Sequence, residues 1–455
     1  MPSAPLPIPD HPDKWDMIEH LRAGLALSRN PIEMTPLATQ QKPYVQSRFM
    51  GTDTLIVSDP KIIRYIFVEA AENLRLNPLR QAILKPILED GLITAEDEVW
   101  KRARRTLAPV FTPRHTQRFA KNMDKITREL MPQILPEEGN ILLSDHMLKF
   151  AYFLLSEALF SGEINADIDV VLPDVEQLLT SLGRPDPMDI IEAPKWLPRP
   201  TRLRGHGAVR RIRRMVLDIT QDRRARLERG EDIPDDFLTL LLQSGTKEDN
   251  PLSDKEIEDH IVSFIGAGHE TTSRALTWMY YLLSQDHKSR DKLEAEVDAL
   301  DLSLPPEKWA ANMPWAMACF DESMRLYPPI PFVSRQAIHS DTFETLSIQK
   351  DEHVMINIWA LHRHEDLWEK PNCFRPERFL APARNSIDRF QYLPFGAGRR
   401  VCIGQRFAVQ EAAILIALIS KSFRFDYIGK TPPWPVTRIT VKAHNNMPMR
   451  VTRRS

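Results

Sequence analysis

Cysteine is scarce in this chain of 455 residues, which contains only Cys319, Cys373 and Cys402. Three thiols cannot build a disulfide framework, so a reducing compartment, the cytoplasm, is the predicted location. No run of about 18 apolar residues occurs, which argues against a membrane anchor. The N-terminus lacks a basic segment followed by an apolar one, which argues against a signal peptide. The net charge of −2 disfavours nucleic-acid binding through bulk charge.

Glycine is also scarce, with 16 residues, whereas proline is abundant, with 37. Stiff connections between many helices would give this balance. Apolar residues at helical spacing dominate the chain, and extended patterns are found mainly at about 40–60, 328–360 and 425–455. The proline-rich stretch 183–200 separates two predicted helices and is a candidate lid or binding loop. The sequence therefore predicts a mainly α fold with a minor β portion.

An unusual loop surrounds Cys402, in the string FGAGRRVCIG at 395–404. Glycines allow the backbone to approach a flat ligand closely. Backbone N–H groups, Arg400 and the start of the helix after Gly404 would all favour the thiolate form of the cysteine. The alternative is a turn around a buried thiol, which the whole string disfavours.

A second group lies on a predicted helix of about nine turns, which begins at a capping box formed by Ser253 and Glu256. Its middle reads GAGHETT at 266–272. Two glycines inside a helix cost about 1 kcal/mol each relative to alanine, which indicates a need for space at the helix surface. Glu270 and Thr271 interrupt an otherwise apolar stripe. Taken alone, the segment is equally compatible with a simple helix–helix crossing and a threonine bonded to its own backbone.

Two further pairs share a helix face. Glu322 and Arg325 are three residues apart, and Trp100 and Arg104 are four apart. Side chains at these spacings are neighbours on a helix. Each pair by itself is a weak signal, because surface ion pairs and cation–π pairs are common.

Together these segments resemble the cytochrome P450 family. The cysteine loop matches the family's haem-binding pattern F-x-x-G-x-R-x-C-x-G, and 267–272 matches the central-helix pattern A/G-G-x-D/E-T-T. The motifs follow the family's order across 91–411. The resemblance implies a triangular, helix-rich P450 fold with a small β-rich subdomain and a long central helix over the haem. It also implies one P450 domain over 1–455, without a fused reductase.

The resemblance assigns the cofactor, haem b, to a definite set of side chains. Cys402 would be the thiolate ligand of the iron, and arginines with one tryptophan would bind the haem propionates. The full set at the haem is Cys402, Arg400, Arg335, Arg104, Trp100, Phe395, Gly396, Gly404, Ala267 and Gly268.

Catalytic and structural roles follow by the same matching. Thr271 would hold a water molecule by hydrogen bonding, and Glu270 would pass protons in from solvent. His269 occupies a variable position, where we expect a packing or solvent-channel residue rather than an iron ligand. Glu322, Arg325 and Arg378 would form a buried ion network behind the haem loop.

The implied activity is a haem-thiolate monooxygenase, which inserts one atom of dioxygen into a C–H or C=C bond of a lipophilic small molecule. Electrons would come from a separate ferredoxin and ferredoxin reductase. The residues expected at the substrate pocket are Leu92, Ile261, Phe264, Ile265, Ile330 and Val333. The residues expected to dock an acidic redox partner are Lys101, Arg102, Arg105, Arg114, Arg118 and Arg399.

Three alternatives stand beside this interpretation. The first is a haem-thiolate isomerase or dehydratase acting on hydroperoxides, whose relatives tend to lose the acid–threonine pair that this chain keeps. The second is a non-catalytic haem sensor or carrier. The third is a cysteine hydrolase with Cys402 as nucleophile, for which no suitably flanked histidine is found.

Overall fold

The computed structural model describes residues 29–49, 52–163, 173–175, 177, 206–245 and 252–454. The long connection predicted at 183–200 lies outside these residues.

Helices make up most of the described chain, as the sequence predicts. None of the described helices is both long and apolar enough to cross a membrane. The helices are α1 (Pro60–Arg64), α2 (Pro78–Leu88), α3 (Asp97–Leu107), α4 (Pro113–Ile134), α5 (Leu143–Phe160), α6 (His206–Glu228), α7 (Phe237–Gly245), α8 (Asp254–Gln285), α9 (His287–Ala299), α10 (Trp309–Asn312), α11 (Pro314–Leu326), α12 (Ile358–Leu361) and α13 (Gln405–Ser422).

The predicted long central helix is α8, with 32 residues. Its capping box is formed as expected: the Ser253 hydroxyl accepts the Glu256 N–H at 3.3 Å, and the Glu256 carboxylate accepts the Ser253 N–H at 2.9 Å. Both bonds satisfy N–H groups that a helix start leaves without partners. α8 packs against α5, α6, α11 and α13, so it runs through the core with little of its surface in solvent.

The strands fall mainly in the three predicted segments. They are β1 (Tyr44–Phe49), β2 (Thr52–Val57), β3 (Leu74–Leu76), β4 (Glu138–Leu142), β5 (Phe332–Ala337), β6 (Asp341–Phe343), β7 (Leu346–Ile348), β8 (His353–Asn357), β9 (Phe423–Tyr427), β10 (Pro435–Thr437), β11 (Val441–Ala443) and β12 (Pro448–Arg453). β3 and β4 lie outside the predicted segments, and both are short. In the largest sheet, β1 and β2 form the expected antiparallel hairpin, β8 runs parallel to β2, and the order is β1-β2-β8-β5-β3.

Candidate functional site

The loop before α13 brings Cys402 to the wall of an internal cavity. Gly396 and Gly398 have φ angles of +69° and +70°, a region that side chains with a Cβ rarely adopt. A Cβ on Gly398 would lie 2.4 Å from the Phe67 carbonyl oxygen. The turn closes with the Cys402 N–H donating to the Phe395 carbonyl at 2.9 Å. The glycines thus serve the close backbone approach that the sequence predicts.

The electrostatics of the Cys402 thiol differ in one respect from the sequence expectation. Burial raises its pKa above the usual value, while a hydrogen bond from the Gly404 N–H and the charge of Arg104 act in the opposite direction. Arg400, expected to stabilise the thiolate, instead donates to the Ala95 carbonyl at 2.7 Å and lies 4.5 Å over the Trp100 ring. Because burial dominates, deprotonation of this thiol would come from binding a metal cation.

The cavity has a volume of about 360 Å³ and lies between α8 and the cysteine loop. Four of the predicted pocket residues line it: Leu92, Phe264, Ile330 and Val333. Ile261 and Ile265 do not line it, which corrects the prediction. They are 0% and 4% exposed and belong to the hydrophobic core. Ile265 is about 100° around the helix from Phe264, and Ile261, four residues before Ile265, lies on the same helix face as Ile265.

Cationic side chains converge on the cavity. Arg104, Arg335 and Arg400 line it as predicted, together with Trp100. Burial and the neighbouring arginines lower the pKa of Arg335 to about 9, and burial lowers that of Arg400 to about 10. Buried cations with too few acidic partners form a site for an anion.

Arg80 joins these cations, and sequence reasoning missed it. It lines the same cavity, it repels Arg335 and Arg400, and burial lowers its pKa. It lies in the first turn of α2, after the Asn77 cap, and no motif marks it. The resulting set of four guanidinium groups fits a ligand that carries two carboxylates.

The metal chemistry of the cavity follows from its donors. In the described part of the chain there is no group of three or more His, Cys, Asp or Glu able to hold a metal ion. Among the described residues that line the cavity, Cys402 is the one His, Cys, Asp or Glu. A metal at Cys402 would therefore take one protein ligand of these types, and an organic ligand would supply the others. Iron protoporphyrin IX would fit these residues, because it is flat, carries two propionates for the arginines and can take a cysteine thiolate as its protein ligand.

On α8, Thr271 lines the cavity and Glu270 does not. The Thr271 hydroxyl donates to the Ala267 carbonyl at 2.8 Å, which leaves its oxygen lone pairs for a cavity water. Glu270 is buried and accepts a hydrogen bond from Arg274 at 3.1 Å. The two predicted catalytic residues are therefore adjacent, with only the threonine in direct contact with the cavity.

The glycine and histidine of the same segment are explained by packing as well as by the cavity. Gly268 lines the cavity together with Ala267. A Cβ at Gly268 would also lie 2.9 Å from a methyl group of Leu155 on α5, so the helix-crossing interpretation is also correct. His269 is fully buried, and its Nδ1 lies 2.5 Å from the Ile265 carbonyl oxygen.

The predicted ion network is present behind the cysteine loop. Glu322 and Arg325 are fully buried and joined by hydrogen bonds of 2.6 and 2.8 Å, and Arg378 lies 3.4 Å from Glu322. The Arg325 guanidinium also donates to the carbonyl oxygens of His362, Pro371 and Cys373. The Arg325 side chain thus links α11 to the backbone of residues 362–373, which precede the cysteine loop in the chain.

Comparisons with known proteins identify the family of the chain. The family model for cytochrome P450 matches residues 11–447. The chain is 27% identical to cyclooctatin synthase of Streptomyces melanosporofaciens, over 92% of this chain and 91% of the relative. It is 28% identical to the chloroplastic protein LUTEIN DEFICIENT 5 of Arabidopsis thaliana, over 88% of this chain and 70% of the relative.

Solved structures show the same fold at low sequence identity. The haem domain of cytochrome P450DA has a TM-score of 0.84 and 22% identity, with 98% of each chain covered. The cyanobacterial CYP120A1 with bound retinoic acid has a TM-score of 0.79 and 23% identity, with 92% of this chain and 93% of the neighbour covered. The chain belongs to the cytochrome P450 family and is a haem-b thiolate monooxygenase.

Proposed function

We propose that this enzyme inserts one atom of dioxygen into a C–H or C=C bond of a lipophilic small molecule, with electrons from a separate ferredoxin and its reductase. The observation that carries the proposal is the apolar lining of the cavity. It is lined by Leu84, Leu88, Leu92, Phe264, Ile330 and Val333. Such a wall excludes water and offers few polar partners, which favours an apolar substrate. A neighbour of the same fold binds retinoic acid, which is a lipophile.

The residues proposed to hold the cofactor follow from the cavity. Cys402 would bind the iron, and Arg104, Arg335, Arg400 and Trp100 would bind the propionates. When bound, haem b supplies the activation of dioxygen. Thr271 would hold a water beside the reacting position by accepting its hydrogen bond. The cytoplasm is the proposed location of the enzyme, since none of its three cysteines forms a disulfide.

The first experiment is the absorption spectrum of the reduced protein with carbon monoxide, followed by a screen of lipophilic compounds for spin-state shifts. Compounds that shift the spin state are then incubated with a surrogate ferredoxin and reductase, and the products are analysed. A hydroxylated or epoxidised product would support the proposal. Conversion of a lipid hydroperoxide without any electron donor would instead favour an isomerase or dehydratase. Binding without turnover would favour a sensor or carrier.

Thr271→Ala is expected to lower the yield of product per electron on the order of tenfold, with a matching rise in hydrogen peroxide. The hydroxyl is the polar group that Thr271 presents to the cavity, and alanine cannot hold the water that passes on protons. The control is Thr277→Ala, because Thr277 also lies on α8 and its hydroxyl donates to a backbone carbonyl four residues earlier, that of Ser273, but it does not line the cavity. Unchanged coupling in Thr271→Ala would contradict the role.

The basic side chains expected to dock ferredoxin are largely paired. Lys101 bonds to Glu98 at 2.9 Å, Arg118 pairs with Asp235, and Arg399 pairs with Glu72. Arg102 is likewise paired, with Glu256 at the start of α8. This pairing reduces the net positive charge below the sequence expectation.

Arg114 remains the clearest docking candidate. It is exposed at the start of α4 and has no ion pair among the described residues. The preceding residues reach the cysteine loop, since the Phe111 ring lies 3.9 Å from the Cβ position of Gly404. We propose that Arg114 and Arg399 contact an acidic ferredoxin near the Cys402 side.

The double variant Arg114→Glu, Arg399→Glu is expected to slow reduction by ferredoxin roughly three- to tenfold at low salt, with the difference shrinking as salt rises. Stopped-flow reduction measures this rate. The control variant is Arg453→Glu. Arg453 is also an exposed arginine, and it pairs with Glu137, but it lies on β12. Equal reduction rates in the double variant and the wild type would overturn the docking proposal.

A further inference from the structure

One hydroxyl group in the wall of the cavity has no partner in the described part of the protein. The described hydroxyl side chains that line the cavity are those of Ser263, Thr271, Thr272 and Thr440. The first two donate to backbone carbonyls of α8, and Thr272 is hydrogen-bonded to Glu411 on α13. Thr440 is 5% exposed, and its side chain makes no hydrogen bond to the described residues. Because a buried hydroxyl without a partner is costly, a ligand of the cavity is expected to supply one.

The backbone that carries Thr440 is firmly anchored. Thr440 is the last residue of the turn between β10 and β11, which pair antiparallel. The next residue, Val441, donates its N–H to the Pro329 carbonyl at 3.0 Å and accepts the Trp278 indole N–H at 3.1 Å. The turn is thus bonded both to α8 and to the segment before β5. Such anchoring fixes the position of the hydroxyl before a ligand arrives.

The position of this turn along α8 defines two ends of the cavity. At one end, the loop after α2 packs so closely on Ser263 that a Cβ on Gly91 would lie 2.1 Å from its hydroxyl oxygen. The leucines of α2 line the cavity there. Ser263 is about two turns before Thr271 on α8, and Trp278, which holds the turn of Thr440, is about two turns after it. Thr271 therefore lies between an apolar end and the end that carries the free hydroxyl.

We propose that Thr440 binds an oxygen function of the substrate, so that the substrate is a lipophile with a hydroxyl or carbonyl group rather than a pure hydrocarbon. The Thr440 hydroxyl can donate to either group and can also accept from a hydroxyl. The apolar body of the substrate extends towards the leucines of α2. The oxidised carbon lies near Thr271, several bonds away from the bound oxygen. Thr440 is thus a specificity-determining residue, and the inference rests on the proposed monooxygenase function, whose substrate class it narrows.

The first test uses ligands that bind the haem iron directly, so that no substrate has to be known. N-alkylimidazoles bind the iron through a ring nitrogen, and their alkyl chains extend into the cavity. Two series of graded chain length are compared in the holoenzyme, one ending in a methyl group and the other in a hydroxyl group. Spectral titration gives the Kd of each ligand without turnover.

The measured quantity is the ratio of the two Kd values at each chain length, methyl over hydroxyl. At the lengths that bring the hydroxyl to Thr440, the ratio is expected to be about five- to tenfold higher in the wild type than in Thr440→Val. Thr440→Ser keeps the hydroxyl and should retain the wild-type ratio. Shorter chains should give the same ratio in all three proteins, because their hydroxyl cannot reach residue 440.

Ser263→Ala is the matched control. The Ser263 hydroxyl also belongs to the cavity wall, but it already donates to the Asp259 carbonyl at 2.8 Å. This variant should keep the wild-type ratio at every chain length. Thermal unfolding of each variant shows whether a substitution has a purely structural effect.

A second test follows the site of oxidation. For an alcohol or ketone that the wild type oxidises, Thr440→Val is expected to raise KM about fivefold, to change kcat little and to increase the share of minor regioisomers. In the main wild-type product, the new oxygen should be several carbons away from the original oxygen function.

The outcomes separate this inference from the proposed function. Equal Kd ratios in Thr440→Val and the wild type at every chain length would overturn the inference, as would an equal loss of the ratio in Ser263→Ala. A product distribution that Thr440→Val leaves unchanged would also overturn it. Failure of every library compound to be oxidised would instead count against the proposed function, because the imidazole titrations need no turnover.

Discussion

Replacing Cys402 with serine is expected to abolish the strongly red-shifted Soret band of the reduced carbon monoxide complex. The band depends on a sulfur anion bound to iron, and a serine hydroxyl is neither as acidic nor as soft a donor. We expect turnover to fall by about two orders of magnitude or more, because thiolate donation favours O–O cleavage. The absorption spectrum and product yield measure both effects.

The fold should survive this substitution. Serine is close in size to cysteine, and the bond from the backbone N–H of residue 402 to the Phe395 carbonyl does not involve the side chain. The control is Cys373→Ser, because Cys373 is half-buried and does not line the cavity. A red-shifted band retained in Cys402→Ser would show that another group binds the iron.

The sequence predicted those parts of the site that are formed by residues close to one another in the chain. The cysteine loop and the GAGHETT segment each form one local structure, and their resemblance to the cytochrome P450 motifs predicts that Cys402 and Thr271 face one site. Both residues line the same cavity. The capping box also depends only on neighbours, and it fixes the start of α8.

The prediction was weaker where contacts join distant parts of the chain. Arg80 reaches the cavity from α2, and no local sequence pattern reveals the position of that helix. Ile261 and Ile265 share the hydrophobic character of Phe264, but only the packing of α8 decides which of them faces the cavity.

Glu322→Gln is expected to lower the free energy of unfolding by about 3–5 kcal/mol and to reduce haem retention. Glutamine keeps the size of the side chain but removes the charge that balances Arg325, and both residues are fully buried. Glu322 also accepts the backbone N–H of Arg375 at 2.8 Å. Urea unfolding and the haem content of the purified protein measure the two effects.

The matched control is Glu377→Gln. Glu377 is an exposed acid, and its partner Lys292 lies 3.8 Å away. Exposed pairs of this kind contribute about 1 kcal/mol at most, so the variant should remain near wild type. Equal stability of Glu322→Gln and Glu377→Gln would contradict a structural role for the network.

The loss of haem from Glu322→Gln should have the same cause as its loss of stability, namely the disturbed contacts of Arg325. Arg325 donates to the His362 carbonyl at 2.6 Å, and the His362 ring accepts the Leu393 N–H at 2.8 Å, just before the cysteine loop. An uncompensated Arg325 would disturb this connection and with it the position of Cys402. We therefore expect the red-shifted band of Glu322→Gln to weaken at urea concentrations below those that unfold the helices, as followed by circular dichroism.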